Sequence, residues 1–136
     1  MATTELAPEV QDKKTILVVD DDASILETVS DVLGRDYSVL RASSGKEALQ
    51  LSKSFKSEIY LLLSDFQMPG MSGVELATQI TAERSRIKVL LMSGYPAGML
   101  ILNEGWHFLA KPFVPSQLRA LIEGLVSPDH ASRFSA

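Results

Sequence analysis

Cysteine is absent from the 136-residue chain, which excludes disulfides, thiol nucleophiles and thiolate metal sites and fits a reducing compartment. No apolar run approaches the roughly 18 to 20 residues that a membrane-spanning helix needs. Lys and Arg are outnumbered by Asp and Glu, 13 to 17. The cations are scattered, so no basic patch marks a nucleic-acid footprint and direct contact with DNA or RNA is not expected. The opening residues, MATTELAPEVQDKK, lack the apolar core of a signal peptide. A cytoplasmic protein without membrane insertion is therefore expected. Histidine is also scarce: His107 and His130 stand alone, without a partner at metal-ligand spacing, and neither is read as functional.

What the chain does have is an alternation. Apolar, β-branched runs at Thr15–Asp20, Tyr37–Arg41, Ile59–Ser64 and Ile87–Met92, with a minimal one at Phe108–Ala110, read as five strands. Between them, apolar residues recur at helical spacing: Ile25, Leu26, Val29, Val32 and Leu33 before Gly34; Ala48, Leu49 and Phe55; Val74, Leu76, Ala77 and Ile80. A last set follows at Leu118, Leu121, Ile122, Leu125 and Val126. Residues 99–102 are a weak, short helical candidate. Strand and helix in turn demand right-handed crossovers, hence an α/β fold with helices on both faces of a parallel sheet. Five strands favour the three-layer, flavodoxin-like order 2-1-3-4-5. Residues 14–127 are read as one folded unit, residues 1–13 as a flexible N-terminal tail and residues 128–136 as a C-terminal tail.

In that order the first and third strands are neighbours, and ligands of such sheets bind beyond the carboxyl ends of the strands. The first strand ends in Asp20, Asp21 and Asp22. The third ends in Asp65, followed by a loop broken at Pro69, Gly70 and Gly73. Asp22 is best placed to cap the following helix. The others should converge. Packed carboxylates repel one another, and a magnesium ion, which takes few protein oxygens and keeps its waters, removes that cost. Ser93 and Lys111 close the fourth and fifth strands at the same edge. A hydroxyl and an ammonium beside magnesium suit a phosphoryl group, with a carboxylate as its acceptor.

The stretches ILVVDDD (16–22), LLLSDFQMPGMSG (61–73), VLLMSG (89–94) and FLAKPF (108–113), in that order, resemble the response-regulator receiver domains of two-component signalling. The resemblance implies that Asp65 is the phosphoacceptor and that Asp21 and Asp65 ligate Mg2+. It further implies that Asp20 acts mainly through water and that Gln67 offers its backbone carbonyl. Ser93 stands at the family's switch hydroxyl, Lys111 at its phosphate-binding lysine and Phe108 at its switch aromatic, often a tyrosine. A cis bond between Lys111 and Pro112 is expected. The implied partners are a histidine kinase or histidine-phosphotransfer protein as donor and a downstream protein as reader, with the chain a monomer or weak dimer. No output domain is expected after residue 127. Such a chain is a signalling phosphoacceptor rather than a turnover enzyme.

The segment between Ser93 and Lys111 departs from the family. It is shorter by about one helical turn and carries Pro96, Gly98 and Gly105, which disfavour a regular fourth helix. Receivers attached to hybrid histidine kinases resemble it in this respect. Three other functions compete. An Asp-nucleophile phosphatase often carries a second acid two residues on, where this chain has Gln67. A flavin or nucleotide binder wants a phosphate loop where this chain has three acids. A degenerate receiver would act as a phosphorylation-independent interaction module, but the acceptor set is complete.

Overall fold

The computed structural model describes residues 13–94 and 105–127. The elements run β1 (Thr15–Val19), α1 (Ala23–Leu33), β2 (Ser38–Ala42), α2 (Gly45–Ser54), β3 (Leu61–Asp65), α3 (Gly73–Glu83), β4 (Lys88–Ser93), β5 (Trp106–Ala110) and α4 (Pro115–Val126). All five strands are parallel, in the order β2-β1-β3-β4-β5. The expected flavodoxin-like sheet is the one observed. The expected irregular fourth helix, with its candidate residues 99–102, and most of both expected tails fall outside the described residues.

Alternation along each central strand builds two cores. Ile16, Val18, Leu61, Leu63, Leu90 and Met92 point to one face, where Leu26, Val29 and Leu33 of α1 and Leu118, Ile122 and Val126 of α4 cover them. Leu17, Val19, Leu62, Val89 and Leu91 point to the other, under Ala48 of α2 and Leu76, Ala77 and Ile80 of α3. The central strands are buried on both sides, which is why they read as continuous apolar runs. β5 is longer than its sequence signal. Trp106, His107 and Phe108 are only half-buried, and such an edge strand shows no clean apolar run.

Local chemistry fixes where the helices start. The Asp22 carboxylate accepts from the Ser24 and Ile25 amides, so it is the cap that the sequence indicated. Ser44 caps α2 and Ser72 caps α3, the latter reciprocally with Glu75. Each such cap contributes about 1 kcal/mol. Helix ends are closed by cations from elsewhere. Lys13 Nζ donates to the Gly34 carbonyl (3.3 Å) and Lys14 Nζ to that of Val126 (2.9 Å).

Arg84 does most at the end of the sheet away from the aspartates. Its guanidinium reaches the Ser52 hydroxyl and carbonyl and the Phe55 and Ser57 carbonyls, all within 2.7–3.0 Å.

Candidate functional site

Asp20 follows β1 directly and Asp65 is the last residue of β3, and the two strands pair in register from Ile16 with Leu61 to Val19 with Ser64. Adjacent parallel strands thus deliver their carboxylates to one place. One oxygen each from Asp20, Asp21 and Asp65 lies within 4.8 Å of the others. Burial is graded across the set: Asp20 is buried, Asp65 half-buried and Asp21 exposed.

Lys111 arrives from beyond β5, two strands away from β3. Its amide donates to the Ser93 carbonyl (2.7 Å), which ties the ends of β4 and β5 together. From there its ammonium reaches Asp65 Oδ1 at 3.0 Å and Asp20 Oδ2 at 3.5 Å. The Lys111–Pro112 bond is cis, as expected. Ser93 is buried at the end of β4, opposite Ala110 in the register.

The electrostatics follow from this packing. Burial pushes the Asp20 carboxyl above its usual range, against the opposing pull of the Asp22 amide and the Lys111 ammonium. Burial also works against the charge on Lys111. The hydrogen bond to Asp65 and the charges of Asp20 and Asp65 outweigh it, so the lysine is raised above its ordinary value. Three carboxylates face one paired ammonium among the described residues. That oxygen-only, electron-rich donor set fits a hard divalent cation such as magnesium.

The loop after Asp65 is held at both ends. The Phe66 amide donates to the Met92 carbonyl (2.7 Å), and the Phe66 carbonyl accepts from the Gly73 amide (2.9 Å). Gly73 is required there, because a Cβ would overlap the Asp65 carbonyl. Gly70 makes the turn at φ +80°. Met71 packs against Gly45, the first residue of α2. A Cβ on Gly45 would stand 2.7 Å from Met71 Sδ and 2.9 Å from its Cβ. Within the loop, Met68 is buried and Gln67 exposed.

Phe108 sits on β5 opposite Leu91 and packs against the core under α2 and α3. The Phe66 ring meets it at 6.3 Å between centroids and 56° between planes. Sequence reasoning passed over Phe66, since a contact across the sheet leaves no spacing signal. An open, mostly apolar cleft of ≈ 500 Å³ lies beside Lys111, between α1 (Ile25, Val29) and Pro112 and Phe113.

The chain is similar to known proteins over most of its length. The family model described as the response regulator receiver domain matches residues 16–123. The sensor kinase CckA of Brucella abortus is 32% identical over 127 residues, covering 90% of this chain and 13% of that protein. The solved receiver domain of the hybrid histidine kinase CckA is 30% identical, with a TM-score of 0.74 over 83% of this chain and 99% of that one. A CheY-like receiver from Methanospirillum hungatei JF-1 superposes with a TM-score of 0.78 at 28% identity, covering 90% and 99% of the two chains. The chain spans 13% to 20% of the length of the first curated relatives it matches.

Proposed function

The chain belongs to the response regulator receiver family of two-component systems, and from that premise we propose that it is a phosphoacceptor whose accepting group is Asp65. The observation that carries the reading is the Lys111 ammonium lodged between Asp65 and Asp20, 3.0 and 3.5 Å away, within a cluster of three carboxylates.

The donor is a phosphohistidine of a kinase or phosphotransfer protein. An Asp65 oxygen attacks phosphorus, the new O–P bond forms as the N–P bond breaks, and the imidazole nitrogen keeps the electron pair. Lys111, already at Asp65, neutralises the phosphoryl oxygens as they arrive, and the Ser93 hydroxyl donates to one of them. Asp20, Asp21, Asp65 and the Gln67 carbonyl would hold Mg2+, which supplies further positive charge against the transferring group. Water attack on phosphorus releases phosphate and restores the carboxylate. In between, the acyl phosphate draws on Ser93 and Lys111 and shifts a conformational equilibrium in which Phe108 takes part, for a downstream protein to read.

Intact mass after incubation with acetyl phosphate and magnesium tests the assignment. One phosphoryl adduct is expected, absent in Asp65→Asn and without magnesium. An adduct that survives Asp65→Asn would move the acceptor elsewhere. No adduct at all would leave a phosphorylation-independent interaction module as the better reading.

A further inference from the structure

Phe66 follows the acceptor immediately, and its backbone cannot turn freely. Its amide is held by β4 through Met92 and its carbonyl by α3 through Gly73. These two hydrogen bonds fix the direction in which the Phe66 side chain leaves the backbone, directly beside Asp65. That side chain ends against Phe108, at a tilted geometry within the favourable range for aromatic rings. It is the one aromatic pair among the described residues.

Phe108 itself is half-buried on β5. It lacks a hydroxyl, so no hydrogen bond from the ring tip can choose its position. Apolar contacts alone must do so. Ala110, two residues on, pairs with Ser93, and Lys111 follows. The ring thus stands where two routes from Asp65 meet, one along β5 from Lys111 and one across the end of β4 from Phe66.

We infer that Phe66 is a positioning residue: its ring sets where the Phe108 ring rests, and so couples the acceptor loop to β5 across the sheet. The inference rests on Asp65 being the acceptor and names the residue that passes its state on. A ring contact of this kind biases an equilibrium between two ring positions by about 2- to 12-fold. That is enough to change a population without being needed for folding.

The experiment uses the full 136-residue chain with ring-labelled phenylalanine, titrated with beryllofluoride and magnesium and read by NMR. In the wild-type chain the Phe108 ring resonances are expected to move on saturation. In Phe66→Leu the mimic should bind within about threefold of the wild-type affinity, while the Phe108 displacement falls by roughly half or more. Phe66→Tyr, which keeps the ring, should restore it. Should Phe66→Leu not fold, Phe108→Leu read at the Phe66 ring carries the same test, with the Phe66 displacement expected to shrink. An unchanged displacement in either leucine variant overturns the coupling while leaving the acceptor reading intact. A wild-type chain that binds no mimic overturns both, and is recognised by the absence of any shift near Asp65.

Discussion

His107 shows how far a single side chain can matter without belonging to a site. It sits half-buried on β5, opposite Leu90. Burial first, and then the nearby charge of Lys88 on β4, hold its pKa below the ordinary 6.5. The unfolded chain therefore takes up its proton at a higher pH than the native one. Stability is complete above about pH 6.5 and declines as pH falls below that value toward the lower native pKa, where the loss levels off. His107→Gln should flatten that part of the curve. Urea midpoints between about pH 7.5 and about pH 5 check it, and parallel curves for the two proteins would show that other groups carry the acid loss. Residue scale is also where sequence reading reaches least far. Asp65, Asp20 and Asp21 were legible because each lies at or just beyond the end of a recognisable strand. The bridge from Lys111 to both carboxylates spans 46 and 91 residues. Only the three-dimensional path of its side chain reveals which oxygens it meets.

Helices and strands are joined by a few side chains that act at a distance, and Arg84 is the clearest. It stands at the end of α3 and satisfies carbonyls at the end of α2 and in the turn toward β3. Hydrogen bonds from a charged donor contribute more than neutral ones, and leaving buried acceptors unpaired costs more again. Arg84→Ala is expected to lower stability by about 1–3 kcal/mol, measured by urea unfolding, with the acetyl phosphate adduct unchanged. Arg84→Lys should recover little, since a point charge cannot reproduce the planar fork. A loss below about 0.5 kcal/mol would mean that water replaces the guanidinium without cost. Nothing in the sequence around Arg84 distinguishes it from the neighbouring Arg86. The Asp22 cap was different, because a short polar residue just before a helical pattern is a local signal; Ser44 and Ser72 cap their helices with the same chemistry but were not read from the sequence.

At the scale of the molecule, the sheet order was legible because alternation, crossover handedness and strand count leave few arrangements, and the observed order is the expected one. β5 was underestimated, because an edge strand with Trp106 and His107 half in solvent has no continuous apolar signature. One property belongs to the whole fold: the acidic cluster exists only when β1 and β3 are paired. Any cation bound there binds the native state alone, so magnesium at about one hundred times its dissociation constant should stabilise the protein by about 2.7 kcal/mol. Asp21→Asn should abolish that response without weakening the magnesium-free protein, as thermal melts with and without the ion will show. An equal response in the variant would place the ion elsewhere. The contact between Gly45 and Met71 has a different kind of consequence, one for descent. A side chain gained at position 45 collides with Met71 down to its Cβ, so trimming Met71 makes no room for it, and a lineage can enlarge position 45 only by moving the loop backbone away from α2.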